Sequence, residues 1–291
     1  MKVLVFGEIL WDIIEGVPHL GGAPLNFAAH VAQCGYDSAI VSCLGKDNLG
    51  DDALRMVQYL NVDVRLVQRS DIRTGFVPVT LCNGQPDYEI IENVAYDYID
   101  GEKLDHTLIG DYDTFYFGSL IQRSEVSASA LQQILDRHRF KQVFYDVNLR
   151  KNSFNKDIVV HSLGHCNLLK VNDEEVGVLS KLLFDRDLDF DAFCEKVIGL
   201  WKQIEAVVIT AGGDGSLVYW NGQLEKVPTS PIEVIDTVGA GDSFSAAFLC
   251  IYNKTGDPVY AAQIANKVGA FVASSNGPIP RYSPEIISCL V

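Results

Sequence analysis

The chain has 291 residues, of which 48% are hydrophobic, and its formal net charge is −15. This length suits one large α/β domain or two unequal ones, with enough surface to bury a core without staples. The acidic balance argues against nucleic acid and anionic membranes as partners, because both select basic surfaces. No apolar stretch approaches the roughly 20 residues of a membrane span.

Features of the N-terminus and the cysteines indicate a cytoplasmic protein. Residues 1–8 are expected to begin the fold as a strand, and they lack the long apolar region of a signal peptide. The seven cysteines are scattered, odd in number and without a Cys-x-x-Cys motif. That usage is typical of reduced, mostly buried thiols.

Apolar runs alternate with helical periodicity along the chain. Buried strands are predicted at 3–7, 38–44, 113–117, 142–146, 166–171 and 205–210. Helices are predicted at 24–34, 49–60, 124–138, 173–182, 189–200, 241–252 and 258–274. Strands that alternate with helices predict an α/β fold, a doubly wound and mostly parallel sheet flanked by helices, in a single domain over 1–291.

Two regions depart from this alternation. Residues 12–17 and 75–92 are strand-like without intervening helices, and Asn83-Gly84 predicts a hairpin turn within the second region. These regions predict a small β-sheet lid built from about 12–17 and 75–98. A further hairpin is predicted around Asn221-Gly222.

A Gly-Ala-Gly run opens the helix predicted at 241–252. Gly239, Ala240 and Gly241 allow backbone amides to converge on an anion, and the helix N-terminus adds partial positive charge. Asp242 follows and is suited to take the proton of an acceptor hydroxyl during phosphoryl transfer. An isolated Gly-x-Gly-Asp is explained as well by a tight turn with a dipole-complementing acid. The run is neither a P-loop nor a dinucleotide fingerprint.

Two segments together carry a family resemblance. Asp236-Thr237-Val238-Gly239-Ala240-Gly241-Asp242-Ser243-Phe244 resembles the C-terminal signature of the ribokinase-like sugar kinases. Gly21-Gly22-Ala23-Pro24-Leu25-Asn26-Phe27-Ala28 resembles their N-terminal signature in the form found in fructokinases. The resemblance spans essentially the whole chain. It implies an ATP-dependent kinase that phosphorylates a primary hydroxyl of a small sugar, most like fructokinase, with Asp242 as catalytic base and the 239–241 amides as anion hole.

The acceptor site is predicted near the N-terminus. Asp12 follows the first strand, and Asn26 lies in the first turn of the helix after Gly21-Gly22. Asp and Asn together supply the donors and acceptors that a sugar needs, and glycines allow close approach. A turn residue and an ordinary helix residue explain the pattern equally well. The resemblance implies that Asp12, Gly21, Gly22 and Asn26 form the sugar site.

The resemblance extends to the lid and to one arginine. Residues 88–97 are similar to the fructokinase lid, which covers the sugar, although an exposed lid face equally suits a homodimer interface. Residues 146–150 resemble the family's Asp-x-Asn-x-Arg motif. Arg150 is therefore expected to clamp the sugar or the transferred phosphoryl group, with a surface salt bridge as the alternative.

The nucleotide side is implied by three further similarities. Asn172 and Glu175 match an Asn-x-x-Glu motif that holds waters of Mg²⁺, although an acidic first helical turn is ordinary dipole complementation. Residues 210–215 are similar to the nucleotide loop, so Thr210, Gly212 and Gly215 are expected to bind ATP. Asn266 is expected beside the base or ribose, and Val234 and Ile235 beside adenine.

A monovalent-cation loop is matched at one end only. Asp236 and Thr237 stand where family members begin a K⁺ loop, but the family usually carries Gly-Ala where Gly277-Pro278 stands. K⁺ therefore stays an open expectation. The pair His161 and His165 is expected to be structural, because Gly164 and the nearby strand weaken a helical ligand face.

The expected partners are a small sugar and ATP. Ribose, 2-keto-3-deoxygluconate, adenosine and phosphosugars are competing acceptors on such a fold. A catalytically silent sugar sensor is an alternative of another class. A nicotinamide-dependent oxidoreductase would need a glycine fingerprint after the first strand, and Gly7-Glu8-Ile9 is not one.

Overall fold

The computed structural model describes residues 1–82, 85–88, 90–151 and 153–290, with side chains for all except 79–82 and 85–88. Its strands are β1 (Lys2–Phe6), β2 (Leu10–Ile14), β3 (Val17–Gly21), β4 (Asp37–Gly45), β5 (Val67–Ser70), β6 (Gly75–Cys82), β7 (Gln85–Tyr88), β8 (Thr114–Gly118), β9 (Gln142–Asp146), β10 (Leu168–Asn172), β11 (Ala206–Thr210), β12 (Ser216–Trp220) and β13 (Gln223–Val227).

Ten α-helices belong to the described ranges, namely α1 (Ala23–Gln33), α2 (Asn48–Tyr59), α3 (His106–Ile109), α4 (Glu125–Arg137), α5 (Lys156–His165), α6 (Asp173–Phe184), α7 (Phe190–Leu200), α8 (Ala240–Thr255), α9 (Pro258–Ala273) and α10 (Pro284–Leu290). Short 3₁₀ helices lie at Ala95–Tyr98, Gly101–Lys103, Leu120–Arg123 and Gly212–Asp214.

A nine-stranded central sheet, counted over the described residues, has the order β13-β12-β11-β10-β9-β8-β1-β4-β5. The strands from β11 to β5 in this order pair in parallel, and β12 and β13 complete one edge in antiparallel pairing. This confirms the predicted doubly wound, mostly parallel α/β fold. In the central sheet β1 lies between β4, which follows it along the chain, and β8, which comes later. The direction in which strands are added therefore reverses beside β1.

Each face of the sheet is covered by its own set of apolar side chains. In β1, Val3 and Val5 join a buried cluster with Phe27 of α1 and Phe248 of α8. The intervening Leu4 and Phe6 belong to the cluster on the opposite face, with residues of α4, α6 and α7. A strand buried on both faces is apolar throughout, and this explains its continuous apolar run.

A separate four-stranded sheet has the order β3-β2-β6-β7. The prediction of one strand-like run over 12–17 is wrong, because β2 ends at Ile14 and β3 begins at Val17. Glu15 and Gly16, both with positive φ (50° and 81°), turn the chain between them. The sheet also stops before residue 98, since Ala95–Tyr98 is a 3₁₀ helix with Ala95 and Tyr96 in the core. The predicted Asn83-Gly84 turn lies outside the described residues.

Other expectations meet the structure in different ways. The hairpin around Asn221-Gly222 is confirmed, with φ of 51° and 77° at these residues and β12 antiparallel to β13. Helix α5 was not predicted; the Asn155 side chain caps it by accepting from the Ile158 amide. His161 and His165 therefore do lie on a helix, with ring centroids 4.7 Å apart. Across the described ranges, no group of three or more potential ligands could hold a metal.

No helix in the described part of the chain is long and apolar enough to cross a membrane.

Truncation of Phe248 tests the packing that holds α8 on the sheet. Its side chain is fully buried between the rings of Phe144, Phe244 and Tyr252. We expect Phe248→Ala to lower the free energy of unfolding by about 3–5 kcal/mol, through lost burial and a residual cavity. Urea denaturation measures this. Tyr59→Ala, at a residue 88% exposed, is the control and should change it little; equal losses in the two variants would contradict the assignment.

Candidate active site

Polar side chains gather where the carboxyl ends of β1, β9 and β10 meet the N-terminus of α8. Glu8 follows β1, Asp146 ends β9, and Lys170 lies in β10; all three side chains are buried. In a doubly wound sheet this edge, next to the switch in strand order, is where ligands bind. The region is therefore the candidate active site.

The turn before α8 has the geometry of an anion cradle. Gly239 has a φ of 79°, and a Cβ there would lie 2.5 Å from the Pro278 carbonyl oxygen, so this position requires glycine. The Ala240 amide donates to the Thr237 carbonyl at 3.2 Å. Among the described residues no hydrogen-bond acceptor is found for the amides of Gly239 and Gly241. These two donors, at the positive end of the helix dipole, are suited to an anionic group.

Asp242 is joined to Asn26 across 216 positions of sequence. The Asn26 Nδ2 donates to Asp242 Oδ2 at 2.8 Å, and this bond connects the first turns of α1 and α8. Loss of surrounding solvent raises the pKa of Asp242 to about 6, opposed by the hydrogen bond from Asn26. Two of the predicted site residues are thus brought together, and the Oδ1 of Asp242 is left without a protein donor in the described residues.

The glycines before α1 fit closely against two acids. Gly22 has a φ of 112°, and a Cβ there would lie 2.6 Å from the Glu8 carbonyl oxygen. A Cβ at Gly21 would lie 2.7 Å from Asp12 Oδ2. Burial raises the pKa of Asp12 above its ordinary value. The structure therefore brings Asp12, Gly21, Gly22 and Asn26 to one end of the sheet.

Glu8 is a candidate that the sequence analysis missed. It is 4% exposed, and burial raises its pKa to about 7, with Arg150 acting in the opposite direction. The available signal was a carboxylate placed directly after a fully apolar strand. A carboxyl group with such a pKa can donate or accept a hydrogen bond near neutral pH.

Arg150 lies at the same edge as an exposed side chain. Its charge lowers the pKa values of Glu8, Asp12 and Asp242, so the guanidinium lies within electrostatic range of all three carboxyls. Within the described ranges the Arg150 side chain makes no hydrogen bond and no ion pair, so the structure does not support the alternative of a surface salt bridge.

Asn172 and Glu175 form a reciprocal capping box at the start of α6. Asn172 Oδ1 accepts from the Glu175 amide at 2.8 Å, and Glu175 Oε2 accepts from the Asn172 amide at 2.8 Å. The other carboxylate oxygen of Glu175 accepts from the Leu149 amide at 2.7 Å. Glu175 is buried, and each of its oxygens accepts one backbone amide, so the pair caps the helix. A carboxylate oxygen has a second lone pair, so this cap is compatible with the expected contact to a water of Mg²⁺.

The predicted nucleotide residues lie at the ends of β11 and β13. Thr210 ends β11, and Gly212, with a φ of 50°, begins the next 3₁₀ turn. A Cβ at Gly215 would lie 2.3 Å from the Val227 carbonyl oxygen. Asn266 Nδ2 donates to that same oxygen at 2.9 Å and is buried. Gly215 and Asn266 therefore both pack against the end of β13, and Val234 and Ile235 are exposed.

The loop predicted for a monovalent cation is occupied by protein contacts. The Asp236 carboxylate accepts from the amides of Val238 at 3.0 Å and Gly277 at 3.3 Å. The Pro278 carbonyl oxygen is 2.9 Å from His30 Nε2. Burial lowers the pKa of His30 to about 4, so the ring is neutral and donates through Nε2. Thr237 contributes its carbonyl to the Ala240 amide. Each of these oxygens has a second lone pair, so the hydrogen bonds are compatible with a cation in this loop.

Comparisons with known proteins identify the family of the chain and the fold. A family model described as pfkB family carbohydrate kinase matches residues 6–285. Fructokinase-2 of Zea mays is 27% identical over 310 residues, covering 96% of this chain and 90% of that protein. The structure of fructokinase with bound ATP from Xylella fastidiosa has a TM-score of 0.86 at 21% identity, covering 99% of this chain and 97% of that one. The structure of 2-dehydro-3-deoxygluconokinase from Thermotoga maritima has a TM-score of 0.85 at 22% identity, covering 100% of this chain and 99% of that one. The two structures show the fold alone.

Removal of the Asn26 amide tests its contact with Asp242. We expect the Asp242 carboxyl to titrate near pH 6 in the unaltered protein, and at higher pH in Asn26→Ala because its charged form loses a donor. Carboxyl ¹³C NMR, assigned with Asp242→Asn, measures the midpoint. The control is Asn253→Ala, also in α8, whose amide bonds Gln142. An unchanged midpoint in Asn26→Ala would refute the contact.

Proposed function

The chain belongs to the pfkB family of carbohydrate kinases, phosphotransferases with a hydroxyl acceptor, and we propose that it transfers the terminal phosphoryl group of ATP to a primary hydroxyl of a small neutral sugar, with fructose as the preferred acceptor. The observation that carries this proposal is the Asn26–Asp242 hydrogen bond of 2.8 Å. It sets a carboxylate, a sugar-binding helix and an anion cradle side by side, which is the arrangement phosphoryl transfer needs.

Asp242 is the proposed general base. With a pKa of about 6 it is mostly ionised at neutral pH, yet basic enough to take a hydroxyl proton as the bond to phosphorus forms. Asn26 occupies Oδ2, so Oδ1 receives the proton. The amides of Gly239 and Gly241 then stabilise the charge on the transferred group.

Charges around the acceptor site support a neutral sugar. Three carboxyl groups, those of Glu8, Asp12 and Asp242, surround the acceptor site, and Arg150 is the one cation that acts on all three. A sugar acid or phosphosugar would bring a further negative charge beside them, which costs free energy in a partly buried site. The Arg150 side chain makes no hydrogen bond or ion pair in the described residues, so it is available to the sugar or to the transferred phosphoryl group.

Mg²⁺ is proposed to enter with ATP and to supply positive charge at the phosphates. Asn172 and Glu175 are proposed to hold waters of that ion, through lone pairs that their backbone hydrogen bonds leave free. Asp236 and Thr237 are likewise proposed to begin a K⁺ site, since the Asp236 carboxylate accepts only one amide on each oxygen.

The small sheet is proposed as a lid over the sugar. Arg123 ties the chain that leaves it to the main domain, through Asp97 at 2.9 Å and the Ile91 carbonyl at 2.7 Å. Ile14 and Val17, at the exposed tip of the β2–β3 hairpin, suit a homodimer contact between two lids. A cytoplasmic location is consistent with small soluble substrates.

A panel of sugars tests the proposal directly. We expect ADP release in the presence of Mg-ATP to depend on sugar, with fructose ahead of 2-keto-3-deoxygluconate and fructose 6-phosphate, because the acceptor site is rich in carboxyls. Ribose tests the ribokinase alternative. If no sugar raises ADP release above the sugar-free rate, while sugar binding is detected by calorimetry, the sensor alternative replaces this one.

Replacement of the base tests the mechanism. We expect Asp242→Asn to lower kcat by at least ~10²-fold, as for loss of a general base, while ATP still binds. Steady-state kinetics and nucleotide titration measure the two properties. Asp173→Asn, an exposed acid in the first turn of α6, is the matched control. Near-normal turnover in Asp242→Asn would refute the proposed role.

A further inference from the structure

A buried ion pair lies beneath the candidate active site. Lys170 Nζ is 3.1 Å from Asp146 Oδ1, and the two side chains are 8% and 1% exposed. The residues are directly opposite each other on β10 and β9. Withdrawing both charges from water costs about as much as their attraction returns, so such a pair is weak evidence for stability alone.

The ion pair is connected to α8 from two sides. Asp146 Oδ2 accepts from the Ser245 hydroxyl at 2.9 Å, and Ser245 is fully buried in the second turn of that helix. Lys170 Nζ lies 3.7 Å from the point that a Cβ of Gly241 would occupy. The ammonium therefore contacts the Gly-Ala-Gly turn from the side of the sheet.

We propose that Lys170 is a positioning residue for phosphoryl transfer: its buried ammonium fixes the first turns of α8 through Asp146 and Ser245, and places positive charge behind the Gly239 and Gly241 amides. This inference rests on the proposed function, because it assigns the cradle to the transferred phosphoryl group. A fixed positive charge in a site of low dielectric stabilises negative charge that develops nearby.

Lys170 remains charged in this environment. Burial disfavours the ammonium, but Asp146, Glu175 and Asp242 together raise its pKa above the ordinary value. The groups that act on the Asp242 carboxyl come from several elements: Asn26 of α1, Asp146 of β9, Lys170 of β10 and Arg150 after β9, with Glu8 after β1 and Tyr116 of β8 also facing it.

Within this set, Asp146 opposes ionisation of Asp242, and Lys170 favours it to a smaller extent. Removing Lys170 alone exposes Asp242 to the uncompensated Asp146 charge. Removing both charges takes away the effect of Asp146 and the effect of Lys170 on the ionisation of Asp242 together. The pH dependence of the reaction therefore separates an electrostatic role of Lys170 from a purely structural one.

The experiment compares Lys170→Gln with the double variant Asp146→Asn/Lys170→Gln, in which a neutral pair keeps an acceptor for Ser245. In both we expect the high-pH plateau of kcat to fall about tenfold, less than the loss of a direct oxyanion donor. In Lys170→Gln alone, the acid limb of kcat/KM moves to higher pH; in the double variant it returns to the original pH or below. Lys181→Gln, an exposed lysine of α6, is the control.

Several results would overturn the inference. It fails if Lys170→Gln keeps the original plateau and acid limb, or if the variants lose activity only in step with thermal unfolding and without a change in pH profile. If Lys170→Gln does not fold, the plateau of the double variant decides: a tenfold loss supports the inference and an unchanged plateau refutes it.

A second measurement separates this inference from the proposed function. If the unaltered protein shows no sugar-dependent ADP release, the proposed function fails on its own. Carboxyl ¹³C NMR of Asp242 then still compares the unaltered protein with Lys170→Gln. A higher titration midpoint in the variant supports the electrostatic action of Lys170, and an unchanged midpoint overturns it.

Discussion

A single hydrogen bond between Asn26 and Asp242 sets the arrangement of the whole site. Each partner sits in the first turn of a helix, and both helices pack on the same face of the central sheet. The bond therefore fixes the distance between the glycines before α1 and the glycines before α8. Burial makes Asp242 more basic, and this contact opposes that effect, because it stabilises the charged carboxylate.

Two close approaches of backbone to backbone depend on this arrangement. Gly22 meets the Glu8 carbonyl, and Gly239 meets the Pro278 carbonyl, in both cases with positive φ and no room for a side chain. A side chain at either point would push α1 or α8 away from the sheet. The site thus depends on the absence of a Cβ at Gly22 and Gly239 as much as on the carboxylates. The fully buried residues of β1, α1 and α8 pack together and keep these backbones close.

The sequence was most informative where local pattern and local structure coincide. Apolar runs located the central strands, and Asp257 with Pro258 located the start of α9, because a cap acts within its own turn. The 12–17 region misled, since Gly16 turns the chain in the middle of an otherwise strand-like run. Glu175 and Asn266 also show the limit: their motif positions did not reveal their contacts with the Leu149 amide and the Val227 carbonyl, which tertiary packing creates. Lys170 gave no signal, and Glu8 gave only its position after an apolar run, because only the folded chain reveals which charges they face.

The contacts of His30 have a consequence for the order in which the protein forms during synthesis. His30 bonds the Pro278 carbonyl and the Tyr282 hydroxyl, and Gln33 bonds the backbone of residues 280 and 282. Helix α1 therefore receives these partners only after residue 282 has been added to the growing chain. The carbonyl behind Gly239 is that of Pro278, so it too is added after both glycine turns. The two turns are thus complete in sequence about 40 residues before the candidate site can be complete in space.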